Sequence, residues 1–402
     1  MTSSCQNALP VEQPRRGSNR PQLDGLTSLR FFAAALVLAQ HASLNLTASM
    51  PLGVANLFSC GYQAVSFFFV LSGFVLVYAY ADEHGGWPEG ARKRKFWWAR
   101  VSRIYPAYLL GLAISIPVFV YSAFWSHIIS AKLFVSGLVL VAVLLQAWAP
   151  PLALAWNSPA WSLSVEACFY ALFPFLLKRL CRFQRAWLAS CALLVVCCVT
   201  LFRARLAAPV DGQLSSPFGN FCAFFPLLFL PHFIFGMALG LLFLAQTGTT
   251  LRKWRWLLAP CAVTLCILFL THSKLPDWMF SDVILVPLFG GMIFGAAICS
   301  FCRSGILGAR PLVELGDASY SLYILHVPLM LWWMKCERFF GLKPLAGWVS
   351  FLGFCGSAIL FSVIACRLVE KPARSWLLRR FREPRKAALP APRGRVHEGT
   401  VA

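Results

Sequence analysis

Long apolar runs separated by short charged stretches form the main pattern of the chain. Clear examples cover residues 31–46, 64–80, 224–244 and 282–301. A bilayer core about 30 Å thick needs about 20 apolar residues of helix to cross it. The runs do not alternate residue by residue, as the strands of a membrane β-barrel would. The pattern therefore predicts an all-α membrane protein.

The composition supports this prediction. Of the 402 residues, 59% are hydrophobic and only 13% are charged, whereas a soluble domain carries about 25% charged residues. The formal net charge of +21 would suggest a nucleic-acid partner in a soluble protein. In a membrane protein, the same lysines and arginines are expected in the cytoplasmic loops. We therefore expect membrane lipids as neighbours and no nucleic acid.

Clusters of lysine and arginine predict the orientation of the apolar runs. Such clusters precede the first run, occupy residues 92–103, 178–185, 252–255 and 303–310, and return from residue 367 onward. Because positive charge is enriched on the cytoplasmic side, these segments are predicted to lie inside. The poorly charged segments between them are predicted to face the exterior.

One apolar stretch does not fit as a full crossing. An even number of spans must separate Arg103 from Lys178, but three candidates lie there, at residues 104–124, 133–148 and 161–177. The middle stretch is the shortest, so we expect it to be re-entrant or interfacial. The result is about ten transmembrane helices in a bacterial inner membrane, with both termini cytoplasmic. Arg203 and Arg205 would lie outside, which fits this topology least well.

The domain boundaries follow from the same pattern. Residues 1–25 are polar and lack the apolar core of a signal peptide, so they are predicted to form a disordered cytoplasmic tail. Residues 26–370 form the membrane domain, and residues 371–402 a basic cytoplasmic tail. Most cysteines lie inside apolar runs, where they act as small hydrophobic residues. The lone pair Cys299 and Cys302 lacks further ligands nearby, so no metal site is expected.

Three ionisable residues within the predicted spans are candidates for chemistry. Arg30 and His41 are eleven positions apart, which places them on one helix face about 16 Å apart along its axis. Arg30 could also be a snorkelling anchor, and His41 an interfacial polar residue. Glu166 lies inside another apolar run, where a carboxylate needs a partner or a proton. His41, at the same expected depth, is the candidate partner.

Arg100 and Arg103 are the second group of candidates. Their spacing places both guanidinium groups on one helix face, at the predicted cytoplasmic end of a span. A pair of planar guanidinium groups recognises phosphate well. An anchor that only sets the orientation of the span would have the same spacing, so the sequence alone leaves both interpretations open.

Taken together and in order, several segments resemble motifs of the acyltransferase 3 family of integral-membrane acyltransferases. The resemblance extends from Leu23 to Pro372. The segments that carry it are Arg30 with His41, Ser66-Phe-Phe-Phe-Val-Leu-Ser72-Gly73-Phe74, Arg100-Val-Ser-Arg103-Ile-Tyr-Pro106, Trp161-Ser162-Leu-Ser-Val-Glu166, Ser319-Tyr320-Ser321 with His326, and Glu370-Lys371-Pro372. Many members have aspartate at the position of Ser66, so this serine is not counted as a catalytic acid.

The resemblance implies transfer of an acyl group, usually acetyl, from cytoplasmic acyl-CoA to a hydroxyl of an extracytoplasmic carbohydrate or lipid-linked glycan. Acyl-CoA would be a co-substrate, with no bound cofactor and no SGNH-type domain expected. The expected catalytic residues are His41 and Glu166. The expected donor-binding or substrate-binding residues are Arg30, Ser72, Arg100, Arg103, Trp161, Ser162, Tyr320 and His326. A multispan transporter or flippase of an envelope lipid or glycan is the alternative, although matching sequence halves are lacking.

Overall fold

The computed structural model of the protein is helical throughout the part it describes. It describes residues 20–380 except 44–45, 47–49, 83, 89, 91–92, 125–130, 207–216, 247–252, 302–304 and 342–346, and these residues contain no β-strand. The α-helices are α1 (Asp24–Ala42), α2 (Leu52–Ser59), α3 (Ala64–Tyr80), α4 (Lys93–Phe124), α5 (Ala131–Ala142), α6 (Trp161–Leu180), α7 (Arg185–Leu206), α8 (Pro217–Phe224), α9 (Leu230–Ala245), α10 (Leu258–Leu270), α11 (Asp282–Phe301), α12 (Arg310–Phe339), α13 (Trp348–Ala365) and α14 (Lys371–Arg380).

The all-α membrane architecture is confirmed, but the predicted count of about ten spans is not. Within the described residues, seven helical segments are long and apolar enough to cross a bilayer. Three helices at predicted spans, α1, α10 and α12, do not meet that criterion. Helix α10 has only 13 residues, whereas α1 and α12 carry several charged or polar residues. Those two helices supply residues of the candidate active site described below.

Helix α5 covers most of the segment that was predicted not to cross. Its 12 residues extend about 18 Å, well short of a bilayer core. The chain then turns at Leu144, whose φ of +58° is in the left-handed region, and continues through short 3-10 turns. The Tyr108 hydroxyl of α4 donates a hydrogen bond to Val141 O at 2.5 Å. Non-helical backbone can lie at membrane depth when protein groups satisfy it in this way.

A proline in α12 explains how the irregular segment before α6 is attached. Pro328 has no N–H, so the carbonyl of Ile324 four residues earlier loses its usual helical partner. Asn157 Nδ2 donates a hydrogen bond to this carbonyl at 2.8 Å. Because Asn157 is buried, the contact fixes the loop that leads into α6 against the part of α12 that carries His326.

Two glycines allow neighbouring helices to approach unusually closely. A Cβ atom on Gly236 of α9 would lie 1.9 Å from Val70 O of α3, and one on Gly316 of α12 would lie 2.0 Å from Thr27 O of α1. Neither position has room for a side chain. Small residues at such crossings favour helix packing in membranes. The second crossing brings α1 and α12, which carry His41 and His326, into direct contact.

Arg203, the residue that fitted the predicted topology least well, has a charged partner. Its Nη1 atom lies 3.9 Å from Asp282 Oδ2 at the start of α11, and its guanidinium stacks 4.7 Å from the ring centre of Phe229. These contacts offset its charge at the end of α7. The side chain of Arg205 lies outside the described part of the structure.

Residues 371–380, the first part of the predicted basic tail, form α14. A π-helical turn, Cys366–Glu370, joins α13 to α14, and Lys371 Nζ lies 2.8 Å from Asp317 Oδ2 of α12. The first helix begins at Asp24. The remaining tail residues, 1–19 and 381–402, lie outside the described part.

Candidate active site

One pocket collects residues from five helices. It encloses about 880 Å³ of space between atoms, including the part that opens to the outside. Seven of the residues predicted from the sequence line this pocket: Arg30, Ser72, Arg100, Arg103, Ser162, Glu166 and Tyr320. His41, Trp161 and His326 are not among the lining residues.

Arg30 and Arg103 are two partly buried cations facing the same space. Their charges are close enough to repel each other, and each is attracted to the carboxylates of Glu166 and Glu370. Within the described residues, both guanidinium groups interact with neighbouring charges without a side-chain hydrogen bond. Buried polar groups are normally hydrogen-bonded. Two adjacent guanidinium groups with free N–H donors are therefore suited to bind an anion, because each offers a planar fork to phosphate oxygens.

Arg100 lies one helical turn before Arg103 and is held by aromatic side chains. Its Nη2 atom donates a hydrogen bond to the Tyr80 hydroxyl at 2.9 Å. Its guanidinium carbon lies 5.7 Å from the ring centre of Phe96 and 5.8 Å from that of Tyr170. Its Nε atom is buried and has no partner among the described residues. The aromatic rings orient the group while leaving part of its donor capacity unused.

Glu370 is a buried carboxylate of this site that sequence reasoning did not assign to it. It is 6% exposed and accepts a hydrogen bond from the Ser321 hydroxyl at 2.6 Å. The sequence did contain a signal for this residue, because Glu370 is part of the Glu-Lys-Pro motif at 370–372. The Tyr320 hydroxyl, predicted to contact the donor, donates to Ile104 O at 2.7 Å.

The rings of His41 and His326 meet where α1 and α12 pack together. His326 Nε2 lies 3.4 Å from His41 Nδ1, and the ring centres are 5.0 Å apart. Both Nδ1 atoms also face the carbonyl four residues earlier, at 2.9 Å for Val37 O and 3.2 Å for Leu322 O. A carbonyl can only accept, so Nδ1 carries the hydrogen on both neutral rings. His41 Nε2 is then free to accept a proton.

The expected pairing of His41 with Glu166 needs correction. No hydrogen bond joins them among the described residues, and the two partners of His41 are Val37 O and His326. Glu166 instead lines the pocket and interacts electrostatically with Arg30 and Arg103. Sequence spacing does not determine the rotation of each helix about its axis. That rotation turns Glu166 toward the arginines.

Ser162 and Tyr323 connect the pocket to the histidine pair. Their hydroxyl oxygens are 2.8 Å apart, and both residues line the pocket. The ring centre of Tyr323 lies 6.2 Å from that of His326, so the histidines lie just beyond the pocket wall. Trp161 packs in that wall, with its ring centre 5.4 Å from that of Phe229. It contributes apolar packing at this point.

The comparison with known families matches this arrangement of motifs. The model for the acyltransferase domain, Acyl_transf_3, matches residues 23–367, which is most of the chain. The chain belongs to the acyltransferase 3 family. It is therefore a membrane acyltransferase, as the order of the motifs implied.

Two curated relatives of this acyltransferase are similar along most of its length. It is 28% identical over 326 residues to Acyltransferase MdmB of Streptomyces mycarofaciens, covering 76% of this chain and 78% of the relative. It is 25% identical over 333 residues to the putative peptidoglycan O-acetyltransferase YrhL of Bacillus subtilis, covering 77% of this chain but 49% of that relative. A search of solved structures found no match.

A second polar cluster of the acyltransferase surrounds Asp282, away from the pocket. The Ser66 hydroxyl donates to Asp282 Oδ1 at 2.7 Å, and His232 Nε2 lies 3.0 Å from Asp282 Oδ2. Together with Arg203, these residues join α3, α7, α9 and α11. Ser66, which stands where many family members have aspartate, thus contacts a carboxylate supplied by another helix. Sequence reasoning missed both residues, because Asp282 is the first residue of its apolar run and His232 belongs to none of the motifs identified in the sequence.

No group of three or more histidine, cysteine, aspartate or glutamate residues in the described part is arranged to hold a metal ion. Cys302, the second cysteine of the sequence pair considered above, lies outside that part.

Proposed function

We propose that this acyltransferase moves an acetyl group from cytoplasmic acyl-CoA to a hydroxyl of an extracytoplasmic carbohydrate or lipid-linked glycan. We place it in the bacterial inner membrane with both termini in the cytoplasm. The observation that carries the proposal is the combination of two free guanidinium groups, Arg30 and Arg103, with a histidine pair beyond the same pocket. One end of this arrangement suits an anion and the other suits proton transfer.

The donor half of the proposal rests on the shape and charge of acyl-CoA. Its phosphates are anionic, and its pantetheine arm is long and narrow. The phosphates would bind Arg30, Arg100 and Arg103. His41 lies about 16 Å from Arg30 along α1, a length comparable to the reach of an extended pantetheine arm. The thioester would then arrive beside the histidine pair, while the charged end of CoA stays near the cytoplasm.

The chemical step needs one base. His41 Nε2 takes the proton of the acceptor hydroxyl while the hydroxyl oxygen attacks the thioester carbonyl. The carbon–sulfur bond breaks, and the CoA thiolate leaves and takes the proton from His41. The products are the acyl ester and CoA. A general base of this kind contributes about 10²–10⁴-fold in rate. Val37 O at 2.9 Å and His326 Nε2 at 3.4 Å are the two acceptors for His41 Nδ1–H and keep the ring oriented.

The proposed acceptor is inferred from the relatives. One relative is named as a putative peptidoglycan O-acetyltransferase, which favours an envelope carbohydrate as the acceptor. With α1 oriented as its preceding basic segment predicts, His41 lies toward the exterior, where such an acceptor is available. Glu166 serves in this proposal as a counter-charge to the arginines of the donor site.

The donor site is tested most simply by binding of acetyl-CoA to purified protein. Arg103→Ala should raise the dissociation constant roughly ten- to a hundredfold, because a charge-assisted hydrogen bond contributes about 1.5–3 kcal/mol. Arg103→Lys should restore only part of the affinity, because lysine lacks the fork. Arg94→Ala on the exposed start of α4 is the matched control and should bind normally. If Arg103→Ala bound acetyl-CoA as tightly as the wild type, the assignment of these arginines to the donor site would be wrong.

The acceptor can be found by mass spectrometry of envelope polysaccharides and lipids from wild-type and deletion cells. The deletion should lack an acyl ester that the wild type carries. Release of CoA from acetyl-CoA by the purified protein, in the presence of that acceptor, separates acyl transfer from the alternative of a transporter. A transporter would move the glycan without producing CoA.

A further inference from the structure

The donor pocket is elongated along α3, and its two ends differ in chemistry. Seven residues of α3 line it between positions 65 and 76, a distance of about 16 Å at 1.5 Å per residue. At one end, Tyr80 lies one helical turn beyond the last of these residues and accepts a hydrogen bond from Arg100. At the other end, α3 contributes the apolar side chains of Val65, Phe68 and Phe69 to the wall. The pocket therefore leads from arginines to phenyl rings.

The apolar end of the pocket lies beside the histidine pair. The ring centre of Phe68 is 5.6 Å from that of Tyr323, and the ring centre of Tyr323 is 6.2 Å from that of His326. His326 in turn lies 3.4 Å from His41. A thioester that reaches His41 from the arginines therefore places its acyl chain against the rings of Phe68 and Tyr323.

Hydrogen bonds and ring contacts hold this end of the pocket in shape. The Tyr323 hydroxyl donates to Pro159 O at 3.3 Å, and its oxygen lies 2.8 Å from Ser162 Oγ. Phe68 packs edge-on against Phe67, with ring centres 5.8 Å apart. A longer acyl chain has to displace these rings, and extra methylene groups in a packed site are destabilising. This end of the pocket is therefore suited to a short acyl group.

Phe68 differs from the phenylalanines on either side of it. Phe67 and Phe69 are each 2% exposed, whereas Phe68 is only partly buried and lines the pocket. Its ring thus borders the space that an acyl chain can enter. We propose that Phe68 sets the length of the acyl group, so that the pocket accepts acetyl-CoA and excludes longer acyl-CoAs. This inference rests on acyl-CoA being the donor, as proposed above.

Binding of CoA, acetyl-CoA and butyryl-CoA to the purified full-length protein tests this inference without the acceptor. One methylene group in a hydrophobic pocket changes discrimination about 10–200-fold. The wild type should therefore bind butyryl-CoA at least about tenfold more weakly than acetyl-CoA. Phe68→Ala removes the phenyl ring and leaves an apolar cavity of the kind that takes up apolar ligands. It should bind butyryl-CoA about tenfold more tightly than the wild type does, with its affinity for CoA within about twofold.

Phe67→Ala is the matched control. It removes the same ring from the next position, which packs against Phe289 with ring centres 5.7 Å apart and lies outside the pocket lining described above. This variant should have a lower thermal unfolding midpoint but the wild-type ratio of the two acyl-CoA affinities. Phe68→Leu, a smaller change, should give an intermediate ratio and serves where Phe68→Ala does not retain CoA binding.

Two results would overturn the inference. One is a wild type that binds butyryl-CoA as tightly as acetyl-CoA. The other is a ratio that stays at the wild-type value in the Phe68 variants while CoA still binds. Failure of the wild type to bind CoA or either acyl-CoA would instead contradict the proposed donor.

Discussion

A histidine that removes a proton needs one ring nitrogen without a hydrogen and a partner that holds the ring in place. In many enzymes the partner is a carboxylate. Here it is a second, neutral histidine. The i−4 carbonyls fix both tautomers. His41 Nδ1–H lies between Val37 O at 2.9 Å and His326 Nε2 at 3.4 Å, and His41 Nε2 is left as the base. An uncharged partner avoids placing another carboxylate inside the membrane, where charge is costly.

His326 and Glu166 have different roles, since His326 contacts His41 and Glu166 faces the arginines. His326→Leu removes one of the two acceptors for His41 Nδ1–H and leaves Val37 O, so kcat should fall about ten- to a hundredfold, less than loss of the base itself. His326→Gln can still accept this hydrogen and should recover part of the loss. Glu166→Gln should act mainly on the KM for acyl-CoA, because Glu166 faces the arginines. Steady-state kinetics at matched protein abundance distinguish these outcomes. A kcat loss in Glu166→Gln that exceeds the loss in His326→Leu would restore the original pairing.

At this scale the sequence indicated the charged residues that line the pocket. Arg30 and Glu166 were identified because ionisable residues are rare in apolar runs, and Arg100 and Arg103 because their spacing places them on one helix face. The partner of His41 was not, because helix rotation depends on packing against distant segments.

At the scale of helices, backbone contacts hold the site together as much as the polar side chains do. Gly316 permits α1 and α12 to touch, and Pro328 frees the carbonyl that Asn157 binds. Both residues can be identified in the sequence, but their contacts depend on which segment packs against each of them. Interhelical hydrogen bonds in membranes contribute little each, on the order of 0.6 kcal/mol, so the close backbone packing is expected to matter more.

Gly316→Ala tests this view. The new methyl group would overlap Thr27 O and force α1 away from α12, with a cost of about 1–3 kcal/mol for overpacking. The thermal unfolding midpoint in detergent should fall, and acyl transfer should fall with it because His41 and His326 separate. Gly356→Ala on α13 is the control, since a Cβ atom there meets nothing within 4 Å. It should be neutral or slightly stabilising. Equal stability of the two variants would argue against a close crossing.

The helices themselves were largely predictable. Each apolar run expected to cross corresponds to a helix, and the segment at 133–148 contains only the short α5. The number of membrane-spanning helices was less predictable, because α1 and α12 combine a membrane position with the polar residues of a catalytic site. Hydropathy alone cannot separate such helices from soluble ones.

For the whole molecule, the polar residues are arranged along one path through an apolar protein. Arginines occupy the end next to the basic segments, and the histidine pair lies farther along α1. The separate Asp282 cluster joins α3, α7, α9 and α11. With the basic segments in the cytoplasm, donor and acceptor would approach from opposite sides of the membrane. The proposed reaction therefore depends on the orientation of the chain.

Cysteine labelling from each side of the membrane tests this orientation. In a background without reactive native cysteines, Ser59→Cys and Leu154→Cys should react with an impermeant reagent from outside. His84→Cys should react only after the membrane is opened. All three positions are exposed. Labelling of Leu154→Cys only from the cytoplasm would mean that 133–148 crosses the bilayer, and the predicted topology would be wrong.

The central claim is that His41 is the base for acyl transfer, and its replacement tests that claim most directly. The rate of acyl transfer and the affinity for acyl-CoA should be measured for wild type and His41→Ala at matched abundance. The account predicts a loss in kcat of about 10²–10⁴-fold with acyl-CoA affinity within about twofold of wild type. Acyl transfer by His41→Ala within roughly threefold of the wild-type rate, well below that range, would contradict it.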